Sequence, residues 1–373
     1  MNNAPRVWHV SCQRPIEYDI VNAPDLFQPE NDALLSLGNI ENARRFVVVD
    51  RNVERYYSAQ ICAYFAEHAI DAKIITFPGG EENKTVENYL SILCELDAFP
   101  IHRRDEPIIA IGGGVLTDVV GFAASCYRRG VPHIKVPTTL MGYVDASVGI
   151  KTGINFDANK NRLGSFEPPA RVLLDKSFLK TLPARHILNG VCEIVKLAVI
   201  KDAALFSLLE LQGASAVAAN FQDDPGGSIL DQAITGMIEE LQPNLFEEKL
   251  ERRVDFGHTF SYGLETCHEV DLLHGEAVML DIAISALIAR GRDLLSIQDT
   301  DRIFRLLAGL GIVLNTGLLD PCILWHSLEE RVYHRNGLQR LPLPAGLGQC
   351  IFVNDLRREE LQSAVELLQS GSW

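Results

Sequence analysis

The sequence predicts an α/β half followed by a mainly helical half, and three observations carry that prediction. β-Branched runs alternate with helical patterns through the first part of the chain. A buried strand at 108–115, IIAIGGGV, runs straight into three glycines. From 184 to 320 the apolar residues recur at i, i+3 and i+4, with almost no strand-like alternation. The boundary falls near residue 177. At 373 residues the chain is too long for one ordinary core, so two domains are the natural reading.

Residues 46–50 (FVVVD) are a β-branched run ending in an acid, followed by a helical pattern over 59–68 and a second strand at 73–77. Strand, helix, strand in that order predicts parallel pairing. Asp50 closes the first strand, where an acid can hold a dinucleotide's ribose or cap the next helix; position alone favours the cap. PGGEENKT at 78–85 is a glycine turn with Glu81 and Lys84 just ahead of a helix. The glycines at 112–114 precede a helix expected to begin near Leu116 and to carry Asp118. Such a turn suits phosphate at a helix N-terminus, although contiguous glycines do not make GxGxxG and a tight turn explains them nearly as well.

Strands at 133–136 and 171–175 flank the least regular stretch, PTTLMGYVDASVGIKTGINFDANKNRLGSF at 137–166. Its polar residues follow neither a helical nor a strand period. Asp145, Lys151, Asn155, Lys160, Asn161 and Arg162 are crowded among small residues, and glycine lets a backbone approach a ligand closely. Lys and Arg there offer charge to phosphate or carboxylate. The stretch reads as a solvated loop or as the floor of a site. Further on, QDDPGGS at 222–228 reads as a surface loop.

With 47% hydrophobic and 22% charged residues the chain is globular rather than disordered. Its net charge of −15 argues against nucleic-acid and anionic-membrane partners, so an anionic ligand needs locally supplied positive charge. No apolar run approaches the ~18 residues that span a bilayer. The opening MNNAPRVWHV lacks the basic and apolar regions of a signal peptide. Eight cysteines form no CxxC pair and sit mostly in apolar runs, which reads as buried free thiols in a reducing cytoplasm.

In the helical half, NGVCEIVK at 189–196 puts Asn189, Glu193 and Lys196 on one helix face, which by itself reads as a solvated face. DFGH at 255–258 and LHGE at 273–276 place His258 and His274 at the start of helical patterns, each beside a glycine. One Glu and two His are an ordinary set for a zinc that keeps a position open for substrate. With ten histidines in the chain, spacing alone does not decide the matter.

Taken together, GGEENK, IGGGVLTDVVGF, PTTLMGYVDASVGIKTGINF, KNRLGSF, NGVCEIVK, DFGHTFS and LLHGEAV resemble, in order, the motifs of the sugar phosphate cyclases, the dehydroquinate synthase-like enzymes. The resemblance covers roughly residues 45–355. It implies a Rossmann-like NAD-binding α/β domain over 1–176 and a mainly α-helical metal- and substrate-binding domain over 177–373. It implies NAD contacts from Asp50, Glu81, Lys84, Gly113, Gly114, Asp118, Thr138, Thr139, Asp145, Lys151, Lys160 and Thr181. Zinc or cobalt would rest on Glu193, His258 and His274, with Asp145, Lys151, Asn161, Arg162, Lys196 and Asp255 toward a sugar phosphate. It also implies a homodimer in which Arg129 reaches a phosphate across the interface.

The chain departs from dehydroquinate synthases at the far end of the substrate. Asp255 replaces an asparagine, Tyr262 a second histidine, His334 a lysine, and Glu251 an arginine; Gln242 and Pro243 stand where a carboxylate-binding lysine is expected. Fixed cations are how proteins hold carboxylates. An acidic and neutral end therefore predicts a substrate that keeps its phosphate, met by Lys151, Lys160 and Arg162, and lacks the carboxylate. Sedoheptulose 7-phosphate fits, and ELQPN, VDFGH and LPLP resemble the 2-epi-5-epi-valiolone synthases. Tyr262, where those enzymes are expected to carry proline, leaves 2-epi-valiolone and desmethyl-4-deoxygadusol synthases as alternatives. Dehydroquinate synthase and a glycerol dehydrogenase-like alcohol dehydrogenase stand further off. The resemblance implies transient oxidation by NAD beside the metal, phosphate elimination, return of the hydride, ring opening and an intramolecular aldol closure. Lys196 would stabilise oxyanions, with Asp255 and His334 on the substrate's distinctive hydroxyls.

Overall fold

The computed structural model describes residues 7–35, 44–157, 159–266 and 272–371. The first six residues and Cys267, which entered the sequence reading, lie outside these ranges. The α/β half runs β1 (Asp19–Asn22), β2 (Arg44–Asp50), α1 (Arg51–Glu67), β3 (Asp71–Phe77), α2 (Val86–Ala98), β4 (Ile108–Gly112), α3 (Gly114–Cys126) and β5 (His133–Pro137). A hairpin of β6 (Lys151–Phe156) and β7 (Asn159–Phe166) follows, then β8 (Arg171–Leu174). Six strands pair in the order β1-β8-β5-β4-β2-β3, all parallel. Strand alternation divides β2 between two cores. Val47 and Val49 pack with Ile61 and Phe65 of α1, and Phe46 and Val48 with Leu96 of α2 and Val119 of α3. Burial on both faces is why the strand reads as an unbroken apolar run.

From β2 the chain moves outward to β3, then returns to the other side of β2 for β4. The order thus reverses between β2 and β4, and a crevice for ligands lies beyond the carboxyl ends of two such strands. Asp50 and the glycines at 112–114 occupy those ends.

The helical half contains α4 (Ala184–Ile200), α5 (Ala203–Ala218), α6 (Asp224–Leu241), α7 (Ser261–Glu265), α8 (His274–Gly291), α9 (Ile297–Gly309) and α10 (Pro321–His334). An antiparallel pair, β9 (Leu341–Pro344) and β10 (Cys350–Val353), and α11 (Arg358–Ser370) complete the described chain. α4 and α8 cross in the middle of the largest apolar cluster. Among the described residues no helix is long and apolar enough to cross a membrane.

Four expectations are corrected. The irregular stretch at 137–166 is not a loop throughout: a π-helical turn at Gly142–Ala146 leads into the β6–β7 hairpin. Its strands are hard to read because Gly153 and Gly164 face each other, and a Cβ at Gly153 would stand 2.7 Å from the Leu163 carbonyl. Residues 222–228 are not a loop throughout, since α6 begins at Asp224. The Asp223 side chain caps it, and Pro225 lies in the first turn, where a missing N–H costs nothing. α3 begins at Gly114, two residues earlier than expected, because glycine's close packing rather than a loop occupies the turn. Among the described cysteines only Cys192 is buried; Cys12, Cys62, Cys94, Cys126 and Cys322 are exposed, those in helices lying on outer faces of otherwise apolar segments.

Candidate active site

The nucleotide side is built at the strand reversal. Asp50 caps α1, its carboxylate accepting the Asn52 N–H at 2.7 Å. Gly113 and Gly114 have ordinary φ; they are needed for close approach. A Cβ on Gly113 would meet Thr139 Cγ2 at 3.0 Å, and one on Gly114 would meet the Ala146 Cβ at 3.0 Å. No side chain caps α3, so its first N–H groups are available to an anion. Thr138 donates its N–H to Gly112, and the Thr139 hydroxyl accepts the Gly142 N–H at 3.1 Å, tying this turn to the π-helical one. Thr181 is exposed, its hydroxyl 3.4 Å from that of Tyr57.

Lys84 is buried and links two predicted residues: its ammonium donates to Asp118 at 2.7 Å and to Asn161 Oδ1 at 2.5 Å. Burial opposes its charge, but Asp118 and Glu81 outweigh that and raise its pKa. Asn155 donates to Glu81 at 2.9 Å and accepts the Asn161 N–H at 2.8 Å. The hairpin is therefore pinned to the nucleotide side. Lys135, unmarked in the sequence reading, is fully buried and donates to the Gly149 carbonyl at 3.0 Å, holding the segment between Asp145 and Lys151.

Glu193, His258 and His274 come together from α4, the loop before α7, and the start of α8. Their ligand atoms all lie within 4.8 Å of one another. The two Nε2 atoms are 3.2 Å apart, and each is 3.7 or 3.8 Å from Glu193 Oε1. A carboxylate and two imidazoles converging from separate elements, one of them anchored through its far nitrogen to a carboxylate, is a donor set that fits a divalent metal with an open position. The solvated-face reading of α4 is overturned: Glu193 is 0% and Lys196 2% exposed, because α4 runs through the core. Lys196 pairs directly with Glu193. Burial opposes both charges, yet each holds the other ionised, the carboxyl well below its usual range and the ammonium raised. Burial pushes His258 down to about 3, with Lys196 adding to it. Burial works the same way on His274, but Glu265 and Glu193 outweigh it and lift that imidazole to about 10. Asp145 is within electrostatic reach: burial and Glu193 raise its pKa against Lys196 and Lys151.

Glu265 was missed by sequence reading. It accepts from His274 Nδ1 at 3.0 Å with one oxygen and from Lys160 at 2.9 Å with the other. Lys160, grouped by sequence with the phosphate and cofactor side, thus has its ammonium on the metal arm. An acid seven residues after His258 was the available signal. A carboxylate behind a ligating histidine fixes its tautomer. Glu265→Gln is expected to weaken zinc binding about 10–100-fold, read by competition with a chelator.

The residues expected at the substrate's far end do not form the acidic and neutral surface expected. Asp255 is paired with Arg252, and its other oxygen accepts from Arg335 at 3.2 Å. Arg252 also pairs with Glu247, which meets Lys151 at 3.0 Å. The cations are present, but internal acids already occupy them. Burial opposes the Asp255 charge, and Arg252 followed by Arg335 holds its carboxyl down at about 2. His334 is exposed at the end of α10, and it is its neighbour Arg335, 4% exposed, that turns inward. Sequence reading missed Arg252 and Arg335 because nothing local distinguishes them from surface arginines. Tyr262 lies on α7 with Arg331 over its ring at 5.5 Å, on the wall of a cavity of about 460 Å³ shared with Asn159 and Ser327. Lys151, Arg162 and Arg129 are exposed.

Parallel sheet, glycine turn and Glu–His–His cluster together define a candidate dinucleotide- and metal-dependent enzyme, and comparison with known proteins gives its family. Models of the 3-dehydroquinate synthase N-terminal and C-terminal regions match residues 74–189 and 190–329, and the chain belongs to the dehydroquinate synthase-like sugar phosphate cyclases. It is 48% identical to the 2-epi-5-epi-valiolone synthase of Streptomyces albus, covering 97% of this chain and 90% of that one. The demethyl-4-deoxygadusol synthase of Trichormus variabilis is 39% identical, over 96% and 89%. The 2-epi-5-epi-valiolone synthase of Streptomyces hygroscopicus subsp. jinggangensis, solved with NAD+ and Zn2+ bound, superposes with a TM-score of 0.94 at 41% identity, covering 98% of this chain and all of that one.

Proposed function

We propose that this protein converts sedoheptulose 7-phosphate to 2-epi-5-epi-valiolone and phosphate, with NAD and zinc as recycled cofactors. The observation that carries the choice of substrate is Asp255 in its arginine fork. An ionised internal carboxylate occupies the guanidinium groups that a substrate carboxylate would need, and it repels a second one. A hydroxylated end, by contrast, finds an acceptor whose geometry two arginines set.

When bound, the dinucleotide supplies a transient hydride acceptor and the metal a Lewis acid; Glu193, His258 and His274 would hold the metal. Lys196 offers a desolvated ammonium to charge developing on a substrate oxygen. Asp145, its pKa raised beside that cluster, is suited to carry a proton between steps. Lys151, Asn161 and Arg162 share one hairpin and would receive the phosphate, so one element positions the leaving group. The crowding of α4 and α8 around Glu193 excludes water from its carboxylate. The dinucleotide half is taken as residues 1–176 and the metal half as 177–373. The working assembly is a cytoplasmic homodimer in which exposed Arg129 reaches the partner's phosphate.

The test is turnover of sedoheptulose 7-phosphate with NAD and zinc or cobalt, products resolved by NMR. A cyclic C7 ketone with 2-epi-5-epi stereochemistry, free phosphate and no accumulating NADH are expected. Turnover confined to the heptulosonate phosphate precursor of dehydroquinate, or steady NADH production, would overturn the proposal.

A further inference from the structure

Asp281 lies on α8 seven residues beyond His274, so the two stand on one face of the same helix. Its side chain is fully buried. One oxygen, Oδ2, accepts three successive backbone N–H groups, from Thr259 at 2.8 Å, Phe260 at 2.5 Å and Ser261 at 3.0 Å. The other accepts the Ser285 hydroxyl at 3.1 Å. The three N–H groups directly follow His258. The five-residue α7 is too short to hold its own start in place, and without Asp281 these donors would lie buried and unpaired. From α10, Ser327 donates to the Thr259 carbonyl at 2.8 Å.

The same helix also references the other two ligands. His274 is its first residue, and the Gly275 N–H donates to Asn189 Oδ1 at 2.7 Å, one turn before Glu193 on α4. A side chain at 275 would overlap the Asn189 carbonyl, so the α4–α8 crossing depends on that glycine. We propose that Asp281 is a positioning residue of the metal centre: it fixes the backbone that follows His258, so that this imidazole converges with His274 and Glu193. α8 then serves as a common ruler for three ligands that are far apart in sequence.

The test compares wild type with Asp281→Ala and Asp281→Asn by zinc affinity in chelator competition and by the visible spectrum of the cobalt form, without substrate. Folding is followed by circular dichroism and thermal melting. Asp281→Ala is expected to lose about 100-fold in zinc affinity, the upper range for outer partners of ligands. Asp281→Asn should lose about 10-fold, because a neutral amide oxygen holds N–H groups roughly half as strongly as a carboxylate. The cobalt bands should shift in both. Wild-type zinc affinity in either folded variant would overturn the proposal, even with a lowered melting temperature, since that is the signature of a purely structural acid. If Asp281→Ala does not fold, the asparagine variant decides by the same criterion. A wild-type protein that held no zinc would overturn the metal centre itself along with this inference.

Discussion

Glu193→Gln is expected to abolish turnover, weaken zinc binding by more than about 100-fold, and destabilise the protein at the same time. The metal effect exceeds what loss of an outer partner produces, because a ligand itself is neutralised. The stability effect comes from Lys196. Its ammonium is 2% exposed and pairs with a carboxylate that is 0% exposed, so removing the acid leaves a buried charge unanswered. Breaking such a pair costs about 3–5 kcal/mol. Adding Lys196→Met should return much of the lost stability without returning activity, because it removes the buried ammonium that Glu193→Gln leaves without its acid. Metal content and denaturant midpoints of the single and double variants check this. A single variant with wild-type zinc content would remove Glu193 from the ligand set.

Asp255→Asn is expected to lower kcat/KM for sedoheptulose 7-phosphate about 10–100-fold, the equivalent of one hydrogen bond to a charged group. Asp255→Ala should also be less stable, since Arg335 is 4% exposed and loses its acid. Both variants should bind the carboxylated heptulosonate phosphate better relative to wild type, because the fork is then open to an outside carboxylate. Steady-state comparison of the two substrates is the check; full activity of Asp255→Asn on the heptulose would refute the assigned role. The fork also sets an acid limit. Asp255 titrates near 2 in the fold against 3.8 ordinarily, so its contribution is complete above about pH 4 and is lost as pH falls through 2.

The sequence alone predicted the parallel sheet and named the candidate metal ligands. β2 reads as a strand because every residue of FVVV is apolar and both faces of a parallel sheet are buried. Glu193, His258 and His274 could be named because short ordered motifs carry them, and the structure brings their ligand atoms within 4.8 Å of one another. What sequence could not convey was the partner of each charge. Glu193 and Lys196 looked like a solvated face, since an amphipathic stripe does not reveal whether water or a second helix lies against it. Asp255 and His334 suggested an end without cations, yet Arg252 and Arg335 converge there from segments 83 residues apart in the chain. The acid that holds Lys160 and the three N–H groups that hold Asp281 are likewise supplied by other elements. Side-chain type and periodicity are local properties, and they decide which elements form. Ionisation and orientation depend on groups that meet only when the helices cross, so the tertiary structure alone decided which acids pair with a buried cation, which anchor a histidine or a loop, and which fill a fork.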